Sequence, residues 1–416
     1  MEPFSKERAF STKPAAESTR RFLTVFGPGL VVMLADSDVG SIITAGQSGV
    51  EWGYRLLGLQ VLLIPVLYVV QELTVRLGIF TGRGHGELVR AVFGPVWAWI
   101  TLTGLTIATI GALLTELSGV AGVGELYGLP RFTTLPLAAL GLCAIVLTGS
   151  YRRVERIAIA IGLFEVAFFF VAWAAHPDMH ELLSGSLDIA YGDKGYLYLA
   201  AANIGSVVMP WMIFYQQSAV ADKKLLPEHY AVARYDTAIG AIITQLVMCA
   251  VTIACAATLR GRHMSLGSVG DMSGALTPFL GTGPGRIVFS AGMLGAGMVA
   301  AIVCSLGFAW GVGEVCGYRH ALEQHPSRAF NALYCVVIAG TAVAVAVLPN
   351  LVSLSIIVQL MNAFMLPLIL GVLITLSVAA LPAARRLRGF YLWFVITICA
   401  MTALAGLWGG FRGLAG

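Results

Sequence analysis

The 416-residue chain is 58% hydrophobic and only 12% charged, with a net charge of +4 and a mean hydropathy of +0.83. A soluble protein carries about a quarter of its residues as Asp, Glu, Lys and Arg. Half that proportion cannot cover a globule of this length, which excludes an ordinary soluble enzyme and points to an all-α polytopic membrane protein.

Residues 1–21 are polar and mixed in charge, with no short apolar core followed by a cleavage site, so they read as a cytosolic N-terminal tail rather than a signal peptide. From residue 22 to 416 the chain reads as a single transmembrane domain. A spanning helix needs about 20 mainly apolar residues. Apolar windows fall at roughly 22–48, 54–77, 94–124, 133–150, 156–175, 195–218, 236–259, 286–316, 329–348, 351–381 and 388–410, which makes eleven spans.

Span 1 is interrupted at Ala35-Asp36-Ser37-Asp38-Val39-Gly40-Ser41. A carboxylate inside an apolar span costs several kcal/mol unless a cavity, a partner or an ion satisfies it, so Asp38 is a functional candidate by default. Gly40 allows the backbone to leave helical geometry and expose carbonyl oxygens. Either Asp36 or Asp38 could be the functional acid; Asp38 is preferred, with Asp36 as a helper or a vestibule residue. Glu72 and Arg76, four apart in span 2, are spaced to form a structural pair. Glu165 in span 5 and Glu314 in span 8 are candidates for proton relay or for pairing within the bundle, the structural reading being preferred for Glu314. The 176–195 loop is acidic, and the 260–285 loop is rich in Gly and Ser.

Span 6 is interrupted at Asn203 to Trp211, where Pro210 removes a donor and frees carbonyls near Ser206 and Val207. The Met209 sulfur is a soft ligand, a type that selects transition metals over magnesium or calcium; its bland alternative is packing. Broken helices five spans apart suggest inverted repeats at about 22–175 and 195–381, with an extra helix at 388–410. Such matching breaks point to a binding site near the midplane.

Placing the N-terminus in the cytoplasm puts nineteen Lys and Arg residues on inner segments and seven on outer ones, so the C-terminus is expected outside. The seven cysteines lie in or beside apolar segments with no C-x-x-C pair, as small packing residues would. The seven histidines, His85 among them, fall in loops and read as solvated. No nucleophile–base pair, hydrolase metal spacing or phosphate loop suggests an enzyme, and the basic residues are a topology signal rather than a nucleic-acid footprint.

The first span, FGPGLVVMLADSDVGSIITAGQSGVEWGYRLL, resembles that of the Nramp-type divalent-metal transporters, whose motif there is Asp-Pro-Gly-Asn. The run QELTVRLGIFTGRGHGEL is similar to the end of that family's second span, and VVMPWMIFYQQSA to its Met-Pro-His-Asn segment. The similarity is clearest over about residues 22–90 and 196–220, and weaker in spans 3 and 10. It implies a leucine-transporter-like inverted repeat with unwound helices 1 and 6, in a bacterial plasma membrane. On the motif positions it implies Asp38 and Met209 as metal ligands, carbonyls from Ala35 and Ser206, and Gln359 joining when the site closes. Ser41 stands where the family has Asn, Val39 where it has Pro, and Met212 where it has a second Asn. Trp211 stands where a proton-linked His is usual, and an indole nitrogen only donates. Glu116 matches an acidic proton-path residue after a one-residue shift, and Asp36 and Glu165 are further candidates for that path. The expected activity is import of a divalent transition metal of the Mn²⁺/Fe²⁺ class, proton-coupled or not, with no tightly bound cofactor and only the ion and the lipid bilayer as partners. The alternative is a relative with a changed substrate, Mg²⁺ or a non-metal solute such as bicarbonate, and altered coupling.

Overall fold

The computed structural model describes residues 27–259, 266–318, 327–348 and 352–415. The expected tail at 1–21, His263, His320 and His325 lie outside the described residues. The chain runs through α1 (Pro28–Asp36), α2 (Val39–Trp52), α3 (Leu57–Thr81), α4 (His85–Phe93), α5 (Pro95–Leu126) and α6 (Arg131–Leu147). Then come α7 (Tyr151–Gly162), a 3₁₀ turn (Leu163–Val166), α8 (Ala167–Ala174), α9 (Met179–Ser186), α10 (Lys194–Val207) and α11 (Pro210–Asp222). The last elements are α12 (Tyr230–Leu259), α13 (Val269–Leu276), α14 (Thr282–Cys316), α15 (Arg328–Val347), α16 (Val352–Ala379) and α17 (Gly389–Leu414).

Nine of the described helical segments are long and apolar enough to cross a membrane, and the α1–α2 pair, bent by 46°, makes a tenth. The remaining expected span corresponds to α6, which is apolar but only 17 residues long. Three windows begin four or more residues earlier than hydropathy suggested, the eighth at Thr282. The seventh span, α12, starts at Tyr230, and so takes Arg234 and Asp236 into its first turns. The fifth starts at Tyr151, because Arg152, Arg153 and Arg156 occupy the polar face of an amphipathic first segment. Short helices α4, α9 and α13 fold within stretches read as loops.

Large apolar side chains such as Leu62, Trp173 and Phe390 lie on the outside, while the interior holds buried Gln, Asn, Thr, Asp and Glu side chains. This inversion suits a chain whose solvent is hydrocarbon, where polar groups must find partners within the bundle. The two broken helices pack at the centre: α2 against α10, α12 and α16, and α10 against α16 and α17.

Candidate functional site

Both breaks occur at the residues singled out in the sequence. Between α1 and α2, Ser37 and Asp38 leave helical geometry, and Asp38 is extended (φ −68°, ψ 169°) at the N-cap of α2. Its Oδ1 accepts the Ser41 amide at 2.6 Å, satisfying one of the donors exposed at a helix start. Between α10 and α11, Val208 and Met209 are extended, and Pro210 opens α11 where its missing N–H costs nothing. Asp38 is 1% exposed and Met209 fully buried, so the site is occluded.

Gln359 of α16 ties the two breaks together. Its Nε2 donates to Asp38 Oδ1 at 3.2 Å, and its Oε1 accepts from Asn362 Nδ2 at 3.1 Å. The same residue's carbonyl lies over Gly205 in α10, where an added Cβ would come within 1.9 Å of it. Ala35 is buried in the last turn of α1 and Ser206 in that of α10, positions whose carbonyls lack intrahelical partners. The Ser206 hydroxyl donates to the Asn203 carbonyl at 2.9 Å. Ser41 Oγ is buried with no hydrogen-bond partner. Trp211 is fully buried at the second position of α11, its indole N–H also unpartnered.

The acids group around the first break. Glu116 of α5 accepts the Val39 amide on Oε2 at 3.1 Å, while its Oε1 is buried without a partner. Asp36 ends α1, and Glu165 sits in the 3₁₀ turn of the fifth span, both buried. No ion pair among the described residues involves Asp36, Asp38, Glu116 or Glu165. Nor do three or more His, Cys, Asp and Glu side chains among the described residues cluster as a metal centre. A cation here would therefore rely on one carboxylate plus sulfur, hydroxyl, amide and carbonyl ligands.

Polar groups link the helices on either side of the breaks. Gln60 Nε2 donates to Asn203 Oδ1 at 2.6 Å and Asn203 Nδ2 to Ser48 Oγ at 2.8 Å, linking α3, α10 and α2. At the other end, Asp236 of α12 accepts the amides of Gly27, Gly29 and Leu30 at 3.1, 2.8 and 3.1 Å, capping α1 with an anion where its dipole favours one. The buried pair Lys223–Glu155, at 2.8 Å, lies at the same end. Asp236 is the first residue of the seventh apolar window, so its place in the sequence alone does not separate an interior cap from a helix end.

Glu72 and Arg76 do pair, at 2.9 Å, and the hydroxyls of Tyr230 and Tyr391 also donate to Glu72. Glu314 accepts the Gly86 amide at 2.7 Å and the Ser218 hydroxyl, a structural clasp between α14, α4 and α11. His85 departs from the solvated reading. It is 2% exposed, its ring Nδ1 lies 2.9 Å from Gln217 Oε1, and its edge packs on Phe214. The amphipathic α4 turns its first residue inward, a face that loop composition hid.

Burial lowers the His85 pKa to about 4, partly opposed by the bond to Gln217. Below about pH 6.5 the unfolded chain takes up a proton that the folded one refuses. Stability is therefore complete above that value and is lost as pH falls towards 4, to the extent of about 3 kcal/mol. The melting temperature should fall between pH 7 and pH 5, and by less in His85→Asn, which keeps a donor for Gln217. Equal falls in the two proteins would refute this account.

The model of the Natural resistance-associated macrophage protein-like family matches residues 29–411. The chain is 27% identical over 300 residues to the divalent metal cation transporter MntH of Bradyrhizobium diazoefficiens, covering 69% of this chain and 67% of that one. It is 26% identical over 307 residues to the MntH of Agrobacterium fabrum, covering 71% and 67%. Among solved structures, a manganese transporter of Eremococcus coleocola superposes with a TM-score of 0.77 at 17% identity, over 99% of this chain and 90% of that one. MHP1, a nucleobase-cation-symport-1 family transporter, superposes with a TM-score of 0.56 at 13% identity, over 94% and 90%. These likenesses establish the leucine-transporter-like fold.

Proposed function

The chain belongs to the Nramp family of divalent-metal transporters, and from that premise we propose that it imports a transition-metal ion of the Mn²⁺/Fe²⁺ class through the breaks at Asp38 and Met209. The observation that carries the reading is Asp38 itself: a buried carboxylate at a helix break, held by two N–H donors and no basic side chain. A divalent ion would supply the missing charge. Met209 sulfur would favour softer ions over Mg²⁺, and Ser41 Oγ, unpartnered here, would add an oxygen. The carbonyls of Ala35 and Ser206 would complete the shell, with Gln359 joining if its amide turns to present oxygen.

Access would alternate by moving the broken helices against their neighbours. The Gln60–Asn203–Ser48 link and the Asp236 cap on α1 are the contacts that each opening must break. Glu116, bonded to the amide next to Asp38, is the group best placed to take protons displaced by the metal, since Trp211 cannot accept one. Two inverted repeats at about 22–175 and 195–381 and an extra helix at 388–410 fit this scheme. The topology balance of basic residues supports a cytoplasmic N-terminus and an external C-terminus, and the bacterial sources of the similar MntH proteins support a bacterial plasma membrane.

Trp211 and Ser41 favour a second reading, in which the substrate is Mg²⁺ or bicarbonate. One experiment separates the two. Protein reconstituted in liposomes should take up Mn²⁺ in preference to Mg²⁺, and an inward proton gradient should accelerate uptake if Glu116 couples it. Uptake of Mg²⁺ or bicarbonate with no Mn²⁺ flux would overturn the leading reading.

A further inference from the structure

A groove of about 500 Å³ runs between α6 and α15, and those two helices supply every residue that lines it. It extends from Phe132 and Val347 at one end to Cys143 and Cys335 at the other, and no lining side chain is more polar than those thiols. Phe132 and Val347 are 70% and 68% exposed, so the groove opens on the lipid-facing surface rather than into the bundle. Behind the cysteine end, the Tyr334 hydroxyl donates to the Leu142 carbonyl at 3.3 Å and holds the two helices together.

Water does not suit this space, because an apolar void offers it no hydrogen-bond partners. Left empty, the void would forfeit dispersion contacts along both walls. Hydrocarbon is what fits. Phe132 and Cys143 lie about 16 Å apart along α6 at 1.5 Å per residue. That is about half of a hydrocarbon core roughly 30 Å thick, the depth filled by the acyl chains of one leaflet.

Charge is confined to one end. Arg131, the first residue of α6, bridges the mouth: its Nη1 donates to the Leu348 carbonyl just past α15 at 3.2 Å, and its Nε to the Glu125 carboxylate. Arg286 of α14 donates to the Leu126 carbonyl at 3.2 Å, one residue along from Glu125. Two guanidiniums thus meet one carboxylate there, and each guanidinium has more donors than these bonds use. An acyl chain gains little by exchanging other lipid tails for an apolar groove. Selective retention therefore depends on what the charged mouth does for the headgroup, and guanidinium–phosphate hydrogen bonds are among the strong ones.

We propose that the α6–α15 groove is a phospholipid site, with the headgroup phosphate held by Arg131 and one acyl chain laid along the groove as far as Cys143 and Cys335. Anionic and zwitterionic lipids share the phosphodiester. The surplus guanidinium suits an anionic headgroup, and Glu125 suits the ammonium of a zwitterionic one. The orientation proposed above assigns this lipid to the outer leaflet; its binding depends neither on that orientation nor on the transported ion.

The test is native mass spectrometry of the purified full chain in detergent, titrated with phosphatidylglycerol, phosphatidylethanolamine or diacylglycerol of the same acyl chains. One phospholipid per chain should be retained under conditions that strip diacylglycerol, and the phospholipid held more strongly identifies the headgroup. Ala339→Trp fills the groove from an exposed position. That variant and Arg131→Gln should each lower the retained fraction at least fivefold, with the melting temperature as the control for folding. Val336→Trp, exposed on the same helix but outside the lining, should leave retention unchanged. The inference is overturned if diacylglycerol is retained as well as the phospholipids, if retention survives Ala339→Trp or Arg131→Gln, or if Val336→Trp lowers it as much as Ala339→Trp does.

Discussion

Asp38→Asn should weaken Mn²⁺ binding more than a hundredfold and abolish uptake, while Asp36→Asn leaves Mn²⁺ affinity within a few-fold of the natural protein. Asn keeps the size and one oxygen of Asp, and its carbonyl can still accept the Ser41 amide that caps α2. What it lacks is the charge. Unit charges 4 Å apart interact by about 4 kcal/mol at an effective dielectric near 20, and a divalent ion in direct contact gains more than that. Against this stands the desolvation of an ion entering a site where Asp38 is 1% exposed, which only a fixed negative charge offsets. Calorimetry on both variants, with the melting temperature as a control for folding, checks the contrast. Comparable losses in the two would place the metal between the acids rather than at Asp38.

Asp38 stands out in the sequence alone, and the reason is physical. In a chain with 12% charged residues, an acid inside an apolar stretch is rare enough to stand out, and the Gly and Pro beside the two breaks state where the helix fails. Asp38, Met209, Gly40 and Pro210 could all be found that way. Gln359 came only from resemblance, because an amide in a membrane helix carries no charge to mark it. Asn362, which holds the Gln359 amide, carried no signal at all.

His85 shows the opposite failure. Its loop placement was a statement about composition, but α4 is a short amphipathic helix whose buried face is set by Gln217 and Phe214, more than a hundred residues away. Asp236 likewise depends on partners distant in sequence, the amides at the start of α1. Residues whose role is fixed by local backbone chemistry were readable; those whose role is fixed by what packs against them were not.

The packing of α16 on the second break leads to the other large effect: Gly205→Ala should abolish uptake, whereas Gly40→Ala should only weaken it. Both glycines face Gln359, but they meet different parts of it. A Cβ at Gly40 would lie 2.5 Å from Gln359 Nε2, the end of a flexible side chain that can swing away from Asp38. A Cβ at Gly205 would lie 1.9 Å from the Gln359 carbonyl oxygen and 2.6 Å from the Ala363 amide nitrogen. Those are backbone atoms of a helix, and they retreat only if α10 and α16 separate. Overpacking in a filled interior costs about 1–3 kcal/mol when side chains can adjust, so a backbone clash belongs at or above the upper end. A penalty of about 3 kcal/mol on the occluded state alone reduces its population more than a hundredfold. Because α10 carries Ser206 and leads to Met209, separation would also spread the ligands that closure assembles. Gly205→Ala should therefore retain Mn²⁺ accessibility in an open form, seen as weak binding by calorimetry, with no transport in liposomes. Gly40→Ala, by contrast, should lower affinity through the loss of Gln359 and retain measurable flux. Normal flux in Gly205→Ala would mean that α10 and α16 do not close on one another during transport.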